Sequence, residues 1–199
     1  MSPKTNKQFE EIREKSKENI LRSALHLFSE KGYFSTSVRQ IAQQAKVSSG
    51  LMYNYFSSKE SLLRAITEKA LSIIDDIVDT DEVLSPEDNL RKMIERFFEV
   101  LDTKRKLLRM MLKISFQIER FDFVKEMIER KYQLNVKDIS RHLQALGYDN
   151  PEAEASLLIA TMDGAMYQSL TLGKMIPIDA IRQQLIHNYC TKSHTSEEE

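Results

Sequence analysis

Ser48, Ser49, Gly50, Leu51, Tyr53 and Asn54 stand together at the start of a short helical pattern, and the chemistry they offer is hydrogen bonding. Hydroxyls, an amide and a phenol around a glycine are suited to phosphate oxygens and base edges. Gly50 lacks the Cβ that would hold an approaching surface off the main chain. Free backbone N–H groups at such a helix start also attract phosphate. Lys59 falls in the first turn of the next helix, where a cation opposes the helix dipole, so it is expected to serve an anion outside the protein.

Three elements must hold these groups. Thr36 or Ser37 suits the cap of a first helix whose buried stripe is Val38, Ile41, Ala42 and Ala45. A helix that short is unstable alone and must dock through its stripe. A turn follows at Lys46 and Val47, with Val47 plugging the angle between helices. Ser48 or Ser49 caps the second helix, which Phe56 anchors from beneath, while Leu51 or Met52 and Tyr55 alternate between core and groove. Ser57 and Glu60 have the spacing of a capping box for a third helix. The arrangement is that of a DNA-reading helix-turn-helix.

In these residues the chain resembles the tetracycline-repressor-like (TetR) family of bacterial transcription regulators. The matching pieces are Ala24, Leu27, Phe28 and Lys31-Gly32-Tyr33, then Thr36-Ser37-Val38 with Ile41-Ala42. After them come Val47-Ser48, Gly50, Tyr53, Tyr55-Phe56, Lys59-Glu60 and Leu62, all within roughly residues 16 to 64. The resemblance implies that Thr36 and Ser37 bind phosphate and that Tyr53, Tyr55 and Lys59 contact the DNA backbone. It also implies that Ser48, Ser49, Gly50, Leu51 and Asn54 face bases, Asn54 being best suited to adenine. Arg39 is either a base or phosphate contact or a plain surface arginine. Lys46 departs from the family, which places glycine at this positive-φ turn; the cost is about 1 kcal/mol. Lys46 then either touches a phosphate or stays solvated.

Composition agrees with an all-α chain: 199 residues hold only 5 Gly and 4 Pro between long stretches of 3.6-residue periodicity. The net charge of −1 conceals an asymmetry, because residues 1–70 carry 12 Lys plus Arg against 7 Asp plus Glu, a net +5. The remainder carries 17 against 23, a net −6, so attraction to phosphate should come from the first part. No apolar run approaches a membrane span, and the N-terminus is not that of a secretion signal. The single cysteine, Cys190, excludes an internal disulfide framework and fits a cytoplasmic location.

The expected organisation is a helix-turn-helix domain over residues 1–66, a helical ligand-binding and dimerisation domain over 67–192, and a disordered acidic tail over 193–199, about nine helices in all. Residues 1–9 read as a polar tail before a first helix from about Phe9 to Lys31. Ser85-Pro86 and Asn150-Pro151 mark helix starts; Gly147 and Gly173 mark ends. Phe97, Met110, Met111, Ile114, Phe116, Met127, Met162 and Met166 supply soft apolar surface, which serves either ordinary core packing or an adaptable ligand pocket. Ser156, Ala160 and Gly164 form a flat stripe, and Ile181, Leu185 and Tyr189 lie in the last helix. In proteins resembling TetR the last two helices pair with their copies, so these six residues are the expected dimer interface.

The function so implied is a homodimeric regulator of the TetR type, a repressor released from a palindromic double-stranded DNA operator by a small apolar or amphipathic effector. No cofactor, metal or membrane is expected. His26, His142, His187 and His194 are scattered, and no Gly-rich phosphate loop or acidic pair at metal spacing is present, so an enzyme is disfavoured. Asp163, beside Gly164 in an apolar helix, is the one acid that reads as buried. A helical interaction scaffold with a vestigial DNA domain is a third class, opposed by the intact serines, tyrosines and Lys59.

Overall fold

The computed structural model describes residues 6–78, 83–116 and 118–191. These residues form nine α-helices, two single 3-10 turns and no strand. They fall into two compact units: the chain up to Ala70 together with Lys106–Phe121, and Leu71–Arg105 together with the chain from Asp122 onward. The compact units do not follow the expected division at residue 66 in two respects. The first unit ends at Ala70, and it is completed by a later segment of the chain.

In the first unit, α1 (Asn6–Lys31) lays Ile20, Ala24, Leu27 and Phe28 against the core. It begins at Asn6, so residues 6–8, read above as tail, are helical. α2 (Val38–Gln44) and α3 (Ser49–Tyr55) are seven residues each, too short to persist alone. They are held by Ile41, Ala42, Ala45, Met52 and Phe56, each at most 5% exposed. α4 (Lys59–Val78) adds Leu62, Leu63 and Ile66, and α6 (Arg105–Ser115) adds Met110 and Ile114. Phe121, just before α7, is buried as well.

In the second unit, α5 (Pro86–Thr103) starts as the sequence prescribes, with Ser85 Oγ accepting from Asp88 N at 3.0 Å and Pro86 in the first turn. α7 (Asp122–Ala145) packs on α5 and on α8 (Pro151–Leu172), while α9 (Ile178–Cys190) packs mainly on α5. Asn150 caps α8, and Gly147 and Gly173 both sit at positive φ, 82° and 62°, closing α7 and α8. The tail at 193–199 lies outside the described residues.

Candidate nucleic-acid interface

α2 and α3 are positioned by caps at one end and a left-handed turn between them. Ser37 is the cap of α2, and the box is reciprocal: Gln40 N donates to Ser37 Oγ at 3.2 Å and Ser37 N donates to Gln40 Oε1 at 2.8 Å. Ser48 caps α3 by accepting from Leu51 N at 3.1 Å. Between them Lys46 has φ of 56°, the one positive-φ non-glycine among the described residues. This is the strained position expected from the sequence, and the lysine side chain is exposed. Asn19 of α1, which sequence reasoning missed, donates from Nδ2 to Ala45 O at 2.7 Å and ties off the end of α2. The available signal was a short amide beside the Ile20 stripe.

α3 has two faces of different character. Met52 is fully buried and the following Phe56 is 5% exposed, so this edge is anchored in the core. Ser49, Gly50, Leu51, Tyr53 and Asn54 are all exposed, with Tyr53 at 53%, and Ser48 is exposed at the cap. Tyr55 is half-buried beside them. A Cβ added at Gly50 would meet nothing closer than Ser48 Oγ at 3.9 Å. Nothing inside the described chain therefore requires glycine there. Arg39 projects from α2 and is exposed too.

Two residues assigned to DNA by resemblance have their side chains turned inward. Thr36 is 1% exposed, and its hydroxyl donates to Gly32 O at 2.9 Å and reaches Leu27 O at 3.4 Å. It fastens the end of α1, and its burial removes that hydroxyl from any phosphate. Lys59 donates to Tyr33 O and to Thr36 O, each at 2.9 Å, with its nitrogen 4.3 Å from the centroid of the Tyr33 ring. Two of the three N–H donors of the ammonium are thus used internally. Burial lowers the Lys59 pKa from its ordinary value and raises that of Tyr33, which Glu60 raises further. The cation opposing the α4 dipole is explained by the carbonyls of the α1–α2 turn. The capping box also shifts by one residue: Ser61 N donates to Ser58 Oγ at 3.0 Å and Ser58 N to Ser61 Oγ at 3.1 Å, not Ser57 with Glu60.

A mostly polar helix face on a basic unit is what binding to phosphate and base edges requires. The family model for bacterial regulatory proteins of the tetR family matches residues 20–66, over this site. The model for the tetracyclin repressor-like C-terminal domain matches residues 85–188, more than half of the chain. The chain belongs to the TetR family of transcriptional regulators. Members of that family are DNA-binding regulators of transcription and not enzymes.

Two relatives are similar to it in sequence. The HTH-type transcriptional regulator HbdR of Aromatoleum sp. (strain CIB) is 32% identical over 94 residues, 46% of this chain and 41% of that protein. The HTH-type transcriptional regulator AcrR of Shigella flexneri is 31% identical over 152 residues, 76% of this chain and 66% of that protein. The match thus spans less than half the length of HbdR. In fold, the chain is similar to a TetR-like transcriptional regulator from Rhodococcus sp. RHA1, with a TM-score of 0.72 and 22% identity over 86% of this chain and 92% of that one.

The residues suggested for a TetR-type effector pocket and dimer interface divide differently from the expectation. Met110, Met111, Ile114 and Phe116 belong to the first unit, and Phe97, Met127, Met162 and Met166 to the second. Phe116 is 73% exposed, so it lines no enclosed cavity in its own unit. Leu185 and Tyr189 are 5% and 8% exposed within the chain itself. Tyr189 lies parallel to Tyr148 at 6.1 Å between ring centroids and donates to Glu154 Oε2 at 3.3 Å. Both side chains are consumed by packing within the unit, which corrects their assignment to a dimer surface. Ser156 and Gly164 on α8 and Ile181 on α9 are half-buried, and Ala160 is exposed. Cys190 is 1% exposed, and burial pushes its thiol up to about 11, leaving it an inert packing group. Among the described residues no group of His, Cys, Asp or Glu is arranged to hold a metal, and no helix is long and apolar enough to cross a membrane.

Proposed function

We propose that this TetR-family protein is a cytoplasmic homodimeric repressor that binds a palindromic operator and leaves it when a small apolar or amphipathic ligand binds. The observation that carries the reading is the exposed face of α3, with Ser49, Gly50, Leu51, Tyr53 and Asn54 held outward over buried Met52 and Phe56. Ser48, Ser49, Gly50, Leu51 and Asn54 face the bases, Tyr53, Tyr55 and Ser37 take phosphates, and Arg39 and Lys46 add cations at the rim. Lys59 and Thr36 act by holding the α1–α2 turn.

One short reading helix offers few base contacts, so useful affinity needs two copies on half-sites about 34–36 Å apart or a multiple of that. The outer face of α8 supports the pairing: Leu157 is 57% and Tyr167 45% exposed, with Ala160 and Gly164 between them. An effector acts by favouring a conformation with the wrong separation of reading heads, and needs about a 10⁴-fold preference for it to switch the population fully. Within the second unit, Asn135 Oδ1 is buried with no hydrogen-bond partner among the described residues. That acceptor suits a ligand that is apolar but carries one N–H or O–H donor.

Selection of genomic fragments with the purified protein, followed by binding at two salt concentrations, tests the reading. A recovered palindrome whose affinity falls steeply with salt, roughly 10³–10⁵-fold between 50 and 200 mM for a protein with 6–10 phosphate contacts, supports it. A folded dimer that enriches no sequence, with or without added effector candidates, overturns it.

A further inference from the structure

The DNA-reading unit contains a segment far from it in sequence. Lys106–Phe121 clusters with the chain up to Ala70, although the family model for the C-terminal domain, residues 85–188, includes that segment. Two contacts give this clustering a physical basis. Lys113 donates its ammonium to Ser29 O, with Glu30 O at 3.3 Å, and so serves carbonyls at the C-terminal end of α1, where a cation also suits the helix dipole. Phe121, 7% exposed, stands edge-on to Tyr33 at 5.0 Å between centroids and lies over Phe34 at 5.7 Å with 23° between the rings. Arg120 Cζ lies 5.0 Å from the centroid of the Phe34 ring. Phe34 is 50% exposed, so the cluster is its support.

The consequence lies one residue further on. Tyr33 O and Thr36 O are the two acceptors of Lys59, and Ser37, next in the chain, is the cap of α2. A displacement of the Tyr33 ring moves its carbonyl, the Lys59 anchor and then the start of α2. We infer that Phe121 and Lys113 are positioning residues for DNA recognition: they set the α1–α2 turn from which the reading helix is hung, without touching DNA. The inference rests on α3 being the DNA-contacting face, as proposed above. The functional DNA-binding unit of this chain is therefore residues up to Ala70 plus Lys106–Phe121.

The test uses the full chain in two variants. Phe121→Ala removes two ring contacts, and amide hydrogen exchange over residues 36–56 should accelerate about tenfold while residues 151–190 keep their protection. This readout needs no DNA, so it stands or falls separately from the choice of α3 as reading helix. Phe121→Tyr should restore protection. Acceleration spread evenly over both units, or none in residues 36–56, overturns the inference. Lys113→Met is the milder variant, at a half-buried side chain. It should weaken operator binding several-fold with the salt slope of log K unchanged, and Lys113→Arg should recover most of the loss. A slope lowered by about 0.9 would make Lys113 a phosphate contact instead, and unaltered affinity would leave it no role in recognition; either result overturns the inference.

Discussion

α3 and α8 each leave one face uncovered, and the two faces are made of opposite chemistry. On α3 the exposed groups are Ser49, Gly50, Leu51, Tyr53 and Asn54, four of the five polar or without a side chain. On α8 they include Leu157, Ala160 and Tyr167, with Gly164 half-buried and Glu152 and Asp163 as exposed acids. A polar face keeps its hydrogen-bonding groups for a charged, hydrated partner, whereas an apolar face gains by excluding water. The difference teaches how, by our proposal, one chain is fitted for two partners: DNA at α3 and a second copy at α8. α3 is also the shorter and depends wholly on its neighbours for its shape.

The largest expected effect is on the apolar side. Leu157→Glu puts a charge on a side chain that is 57% exposed in the single chain, so the fold should persist. The protein should become monomeric by sedimentation and lose roughly 10²–10⁴-fold in operator affinity, the avidity that linkage of two heads supplies. A dimer that survives Leu157→Glu breaks the comparison at α8. On the polar side, Asn54→Ala should cost about 1–3 kcal/mol at the operator while leaving binding to unrelated DNA unchanged. Competition with mutated operators reads this directly, since discrimination should relax at one base pair in each half-site.

Gly50→Ala sharpens the contrast, because its effects on fold and function should have opposite signs. The added Cβ has room in the chain, so helix propensity should raise stability by up to about 1 kcal/mol. The same methyl stands where DNA must approach, and operator affinity should fall. A melting temperature and an affinity that rise together would show that nothing comes close to Gly50.

The smallest effect is at Asp163. The residue is exposed overall, yet the surrounding protein shields its carboxylate from water and raises its pKa from 3.8 to about 6. The folded chain then holds a proton that the unfolded chain has released. The associated stability is full below about pH 4 and is lost as pH rises through about 6. Asp163→Asn should therefore raise the urea midpoint at pH 8 relative to the parent and leave it nearly unaltered at pH 4. Equal changes at both would remove titration from the account.

Much of this was legible in the sequence because it depends on local rules. Ser37 and Ser48 cap by short-range geometry, Pro86 and Pro151 open helices, and Lys46 takes the left-handed turn that its place in the motif demands. The misread residues are those whose partners are remote. Lys59 looked like a cation reserved for DNA because nothing in its own helix answers it, and its acceptors lie 26 and 23 residues earlier. Thr36 and Ser37 were equivalent as caps until Gly32 O and Leu27 O drew the threonine inward. Leu185 and Tyr189 have the apolar character of an interface, but periodicity gives only the face and not the neighbour, and the chain itself occupies that face. Phe121 and Lys113 carry no sequence mark of their attachment to the α1–α2 turn and the end of α1, since each contact closes a long loop of chain.

The most direct test of the central claim, that the polar face of α3 reads DNA in pairs, is a footprint of the full chain on its selected operator. The account predicts two protected half-sites related by a dyad, with centres about 10–10.5 base pairs apart or a multiple of that, and their joint loss in Leu157→Glu. A single protected patch without a dyad, bound by one chain and unaffected by Leu157→Glu, would contradict it.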